Sequence, residues 1–201
     1  MANLITLSRL LLLMVVILII YFGSATLQLL GVLAMIMVFV SDGLDGYVAR
    51  KRNEASLFGA LFDVAADRIV ELCLWVVFAH IDSLPVWIPL VYIARGILTD
   101  SIRASEARGH QQSPFAIMQS KLGKALVAGR FMRGFYAVLK AVTFCLLMLL
   151  LPLPELLPDL WQDYGYLLEM AALLLACFCV LICIVRGLPV VVEFLHHQRS
   201  A

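Results

Sequence analysis

The chain is 201 residues long, 63% hydrophobic and only 14% charged, with a mean hydropathy of +0.99. Water-soluble domains are about half apolar and about a quarter charged, so this is the composition of a polytopic membrane protein. Lys and Arg number 15 against 14 Asp and Glu, and the formal charge of +1 excludes both the basic surplus of a nucleic-acid binder and the acidity of a solvated tail.

A bilayer core of about 30 Å needs roughly 20 apolar residues per helix. Windows of that kind fall at residues 4–22, 25–40, 57–79, 85–102, 125–151 and 164–185, which predicts an all-α protein with six transmembrane helices. The first window has no basic stretch before it and no cleavage site after it, so it is expected to remain as a span rather than be removed as a signal peptide. Gly23 and Ser24 join the first two windows, residues 80–84 join the third and fourth, and the proline-rich acidic stretch 152–163 is expected to be the loop between the last two. No gap is long enough for a soluble domain and no repeat is evident, so residues 1–201 are read as one membrane domain. Cys73, Cys145, Cys177, Cys179 and Cys183 lie in apolar runs without zinc-site spacing and read as packing residues.

Charge sets the orientation. Arg50, Lys51, Arg52, Arg103, Arg108, Lys121, Lys124, Arg186 and Arg199 fall on one set of helix ends, whereas Asp82, Glu155, Asp159 and Asp163 occupy the other. The positive-inside rule then puts both termini and the basic loops in the cytoplasm of a bacterial-type inner or plasma membrane. Trp87, Trp161 and Tyr164 on the acidic side read as an interfacial belt, and the adjacent His196 and His197 as solvated tail.

The informative stretch runs from Asp42 to Asp67. Asp42 and Asp45 are three residues apart, Asp63 and Asp67 four apart, so each pair shares a helix face if both segments are helical. A turn near Lys51–Ser56 would bring the pairs together. Four carboxylates at one point repel strongly unless divalent cations lie between them, and all-oxygen ligands favour Mg²⁺ or Mn²⁺. Charges at two helix ends would be ordinary capping, but four Asp in one hairpin within apolar sequence point to function. Gly46, Ala49 and Gly59 would let helices approach closely or admit a bulky ligand, and the Arg50 guanidinium suits phosphate oxygens.

These residues match D-x2-D-G-x2-A-R-x8-G-x3-D-x3-D at every fixed position, and the chain is identified by that signature as resembling the CDP-alcohol phosphatidyltransferases. At average residue frequencies a chance match is on the order of 10⁻⁸. The resemblance implies that Asp42, Asp45 and Asp63, with Asp67 touching the same site, bind two Mg²⁺ or Mn²⁺ ions that grip the diphosphate of a CDP-lipid. It implies that Asp67 is the catalytic base and that Asp45, Gly46, Ala49, Arg50 and Gly59 line the CDP site. It also implies a homodimer that takes CDP-diacylglycerol and a small alcohol and binds no nucleic acid. Metal would neutralise the diphosphate and the leaving CMP while Asp67 takes the proton of the attacking alcohol.

For the acceptor, Arg103, Lys121, Lys124, Arg130, Arg133 and Arg186 are the candidate phosphate ligands, with Arg95 also deep in apolar sequence. Of these, Arg103, Lys124, Arg130 and Arg133 are expected to converge beside Asp67. Their number favours a phosphorylated acceptor. Arg9 and Arg68 are expected to pair with carboxylates instead. Asn3-x2-Thr6-x2-Arg9, the stretch from Arg95 to Arg103 and Gly123-Lys124 resemble bacterial phosphatidylglycerophosphate synthases, which use glycerol 3-phosphate, although Ala2 and Leu126-Val127 depart from that pattern. Gly129-Arg130-x2-Arg133 and Arg186 resemble phosphatidylinositol phosphate synthases instead. Glycerol 3-phosphate is the expected acceptor, with inositol phosphate or another alcohol the alternative. The non-enzymatic alternative is a small transporter, which would carry broken helices in two matching halves rather than charge concentrated in one hairpin.

Overall fold

The computed structural model describes residues 2–52, 57–109 and 129–200. Among the described residues the chain is helical throughout, with no strand: α1 (Ala2–Phe22), α2 (Ala25–Arg52), α3 (Leu57–His80), α4 (Trp87–Gly109), α5 (Arg130–Leu150), the single turn α6 (Leu153–Leu156) and α7 (Pro158–Ser200). Two compact units are built from these helices, one from Met1–Pro85 with Ala141–Leu173 and the other from Val86–Lys140 with Leu174–Ala201.

In the first unit, α1 ends where Gly23 donates its N–H to the Ile19 carbonyl at 2.9 Å. A Cβ at Gly23 would strike that carbonyl oxygen, so the turn into α2 needs glycine. Gly31 has a packing role: a side chain there would run into the Met148 methyl group and Ile19 Cγ2, so its absence lets α2 lie close to both neighbouring elements. The unit's core centres on Phe144 of α5, which stacks with Phe39 at 5.9 Å and Phe78 at 6.1 Å and meets Trp75 in a tilted pair at 4.5 Å. Trp75, Phe78 and Phe144 are all fully buried, and ring pairs in this distance range add to the area they bury.

A Schellman motif ends α3. Ser83 N–H reaches back to the Phe78 carbonyl at 3.0 Å and Asp82 N–H to Ala79 at 3.3 Å, with Asp82 in the left-handed region at φ 60°. Pro85 then prevents the helix from resuming before α4.

The expected loop 152–163 is corrected: α6 occupies part of it and α7 already begins at Pro158, six residues before the predicted 164. Proline is suited to the first helical position, where its missing N–H has no partner to lose and its φ is preset, so Pro158 starts a helix rather than interrupting one. Asp159 in that first turn complements the positive end of the helix dipole. Likewise α7 runs past the predicted end at 185, through Pro189, to Ser200.

Among the described residues two helical segments, Phe131–Leu150 and Pro158–Val192, are long and apolar enough to cross a membrane, and Thr6–Phe22 and Ala25–Ser41 are shorter apolar helices. Helices α3 and α4 are long enough, but Asp63, Asp67, Arg68 and Glu71 interrupt the first and Arg95, Asp100 and Arg103 the second. Large apolar side chains nevertheless face outward, with Phe22 83% and Phe131 80% exposed, a surface suited to lipid rather than water.

The second unit holds α4, the first half of α5 and the end of α7. Ile102, Val190, Val191 and Phe194 pack together in it, and the buried Tyr136 hydroxyl donates to the Tyr92 hydroxyl at 3.1 Å. Buried Thr99 returns its hydroxyl proton to the Arg95 and Gly96 carbonyls at 2.9 and 3.2 Å, which satisfies it inside an apolar helix.

Candidate active site

The carboxylate hairpin has the expected backbone. Asp42 and Asp45 lie within helical α2 and Asp63 and Asp67 within α3, at the spacing that stacks side chains on one helical face. The side chains of Asp42, Asp45, Gly46, Ala49 and Arg50 lie outside the described residues, as do residues 53–56 of the expected turn.

On α3 the geometry is explicit. Arg9 of α1, only 2% exposed, places its Nη2 at 2.8 Å from Asp67 Oδ1 and 3.9 Å from Asp63 Oδ1. One buried guanidinium therefore meets both carboxylates, which confirms that they share a face. The pairing expected for Arg9 is present. Arg68 also finds a carboxylate, but locally, with Nη1 at 3.6 Å from Glu71 Oε2 one turn further along α3.

Burial is asymmetric across this pair. The Arg9 side chain is 1% exposed, whereas those of Asp63 and Asp67 are 42% and 53% exposed. A buried cation therefore meets two carboxylates whose side chains are themselves about half exposed. Each carboxylate has about four lone-pair sites, so a carboxylate can serve more than one cation at once. Two hard oxygen donors one helical turn apart fit Mg²⁺ or Mn²⁺ and suit zinc poorly. Half-buried Gly59 begins the same face one turn before Asp63.

The second unit concentrates positive charge. Arg186 lies over the Tyr136 ring at 5.1 Å and Lys140 over the same ring at 4.6 Å. Arg95 and Arg133 both bring like charge against Arg186. Gly187 makes room for this arrangement, since a Cβ there would sit 3.1 Å from Arg95 Cγ and Nε. Arg95 Nε is buried with no hydrogen-bond partner among the described residues. Cations crowded together with an orphaned donor form a locus for an anion.

Of the expected acceptor ligands, Arg133 and Arg186 are thus brought together. The side chains of Arg103 and Arg130 and the whole of Lys121 and Lys124 lie outside the described residues. Tyr92, Tyr136 and Lys140 were not legible as parts of this cluster. Tyr136 and Arg186 are fifty positions apart, and a tyrosine in an apolar run carries no signal that a cation will stack on it.

A family model described as CDP-alcohol phosphatidyltransferase matches residues 1–182, and the chain belongs to that family. Among curated relatives, it is similar to the CDP-diacylglycerol–glycerol-3-phosphate 3-phosphatidyltransferase of Rickettsia typhi, 31% identical over 101 residues, or 50% of this chain and 57% of that protein. The Bacillus subtilis protein of the same name is 30% identical over 76 residues, 38% of this chain and 39% of the relative. A Mycobacterium tuberculosis protein provisionally named a cardiolipin synthase is 34% identical over 110 residues, 54% and 50% of the two chains. The chain spans about half the length of the curated relatives it matches.

Proposed function

We propose that the protein is a metal-dependent phosphatidyltransferase that moves the phosphatidyl group of CDP-diacylglycerol to glycerol 3-phosphate and releases CMP. The observation that carries this reading is the unbroken Asp42–Asp67 signature, whose Asp63 and Asp67 turn together onto one accessible face. Asp63 and Asp67, with Asp42 and Asp45, would hold Mg²⁺ or Mn²⁺, which would supply charge neutralisation at the diphosphate. Asp67 accepts the proton of the acceptor hydroxyl. The hydroxyl oxygen bonds to the lipid-bearing phosphorus, and the bond from that phosphorus to the bridging oxygen breaks, so that CMP leaves with the electron pair. Asp45, Gly46, Ala49, Arg50 and Gly59 would bind the CDP group.

Glycerol 3-phosphate is favoured by the names of the Rickettsia and Bacillus relatives and by the Arg95, Arg133 and Arg186 cluster, which suits a dianion. Arg103, Lys121, Lys124 and Arg130 complete the proposed acceptor set. A second reading, with phosphatidylglycerol as acceptor and cardiolipin as product, is favoured by the name of the Mycobacterium relative. Purified protein supplied with CDP-diacylglycerol should turn over best with glycerol 3-phosphate when inositol phosphate, inositol, serine, choline and phosphatidylglycerol are assayed beside it. Best turnover with phosphatidylglycerol would select the second reading, and best turnover with free inositol, serine or choline would refute a phosphate-binding acceptor site.

The single domain 1–201 is proposed to cross the membrane six times, with both termini and the active site cytoplasmic. The basic residues on one set of helix ends support this. Cysteines introduced at Glu155 and Ser200, in a background with the five native cysteines replaced, are expected to react with impermeant reagent from opposite sides. Reaction from the same side would refute the six-span model.

A further inference from the structure

Arg9 stands in a position that general phosphoryl-transfer chemistry does not require. It belongs to α1, outside the Asp42–Asp67 signature, yet its side chain is 1% exposed and its guanidinium forms an ion pair with Asp67 at 2.8 Å while standing 3.9 Å from Asp63. A buried arginine is stable only when paired, and a pair of neighbouring carboxylates is tolerable only beside positive charge. Each side therefore answers the other's need.

We infer that Arg9 is a charge placeholder, a positioning residue that balances Asp63 and Asp67 when divalent metal is away and competes with that metal for the same two carboxylates. This rests on the metal-dependent reading above and adds to it a residue that tunes how tightly metal is held. Three observations converge on it. The cation comes from a different helix, so its contact with both aspartates is tertiary rather than a by-product of helical spacing. It comes from the buried side, with its own side chain 1% exposed, while the side chains of Asp63 and Asp67 are 42% and 53% exposed. Its burial also prevents it from swinging away into water, so its charge acts on the pair with and without metal.

The sign follows from Coulomb's law. Two aspartates on one rigid helix stay a turn apart without Arg9, so removing a positive charge from behind them strengthens their attraction for a divalent cation. Isothermal titration with Mn²⁺ alone, on the full chain in nanodiscs without substrate, should give about tenfold tighter binding in Arg9→Met than in the wild type. Arg9→Lys, which keeps the charge, should bind as the wild type does. Thermal unfolding adds a second readout: Arg9→Met should lie well below the wild type in EDTA and approach it at saturating Mn²⁺, because bound metal supplies the missing charge.

Equal loss of thermal stability with and without Mn²⁺, at unchanged affinity, would make Arg9 a structural anchor and overturn the inference. Weaker Mn²⁺ binding in Arg9→Met would overturn it as well. Should Arg9→Met fail to fold even with Mn²⁺, Arg9→Gln replaces it in the same titration, and unfolded protein from both variants would overturn the placeholder in favour of an anchor. Absence of Mn²⁺ binding by the wild type would instead refute the metal-dependent reading itself.

Discussion

Asp67→Asn is expected to lower the rate of CMP release by about 10²–10⁴-fold, the range supplied by a positioned general base. The substitution keeps the volume of the side chain and an oxygen that can still accept from Arg9, so the contact of α1 with α3 should persist. Arg9 also stays within 3.9 Å of Asp63, and its charge is not abandoned. The loss should therefore appear in the turnover number, with the protein still folded and CDP-diacylglycerol still bound. Steady-state CMP release in nanodiscs, compared with binding of the CDP-lipid by the same sample, separates the two. Turnover within a few-fold of the wild type would remove Asp67 from the base role and leave it as a metal ligand at most.

Arg133→Ala is expected to weaken use of the acceptor about ten- to hundredfold while leaving CDP-diacylglycerol affinity nearly unchanged. A charge-assisted contact to a phosphate contributes about 1.5–3 kcal/mol, which corresponds to that change in affinity. Arg133 is exposed and brings its charge against Arg186, which in turn is held over the Tyr136 ring at 5.1 Å. Clustered cations repel one another, so the arrangement is favourable mainly when an anion joins it. Two controls make the result specific. Arg133→Lys should recover part of the loss because charge remains while the bidentate fork is gone. Tyr136→Phe keeps the ring under Arg186 and loses only the hydrogen bond to Tyr92, so it should change acceptor use far less. Equal weakening toward a neutral alcohol and toward glycerol 3-phosphate would show that Arg133 does not read the phosphate.

The elements most legible in the sequence were those where hydropathy and chain-reversal signals coincide. The window 57–79 became Leu57–His80 because a long apolar run meets an aspartate able to adopt the left-handed turn and then a proline. By contrast, the windows 25–40 and 85–102 captured only the apolar parts of α2 and α4, whose charged ends remain helical as far as Arg52 and Gly109. Hydropathy reports the medium around a helix rather than where its hydrogen bonds stop. For the same reason the prolines of the 152–163 stretch were misread as loop, although Pro158 sits where a helix tolerates it best.

The candidate site shows the same division. Four aspartates at fixed spacing announce chemistry because their cost in apolar surroundings is so large. A pairing partner for Arg9 could be foreseen as a carboxylate, since a cation inside an apolar run needs one. Its identity could not, because Asp63 and Asp67 are more than fifty positions away and only the packing of α1 on α3 brings them within reach. Arg68 could have competed for the same carboxylates but turned to Glu71, three positions along its own helix. The choice between these two arginines is made by tertiary structure.

The central claim is that the carboxylate face performs phosphatidyl transfer, and the release of CMP from CDP-diacylglycerol tests it most directly. Wild-type protein in nanodiscs, given CDP-diacylglycerol and glycerol 3-phosphate, should release CMP in proportion to the phospholipid formed when Mg²⁺ or Mn²⁺ is present. Excess EDTA should stop the reaction, and restored metal should restart it. No CMP release with any acceptor, or CMP release that continues undiminished in EDTA, would contradict the account.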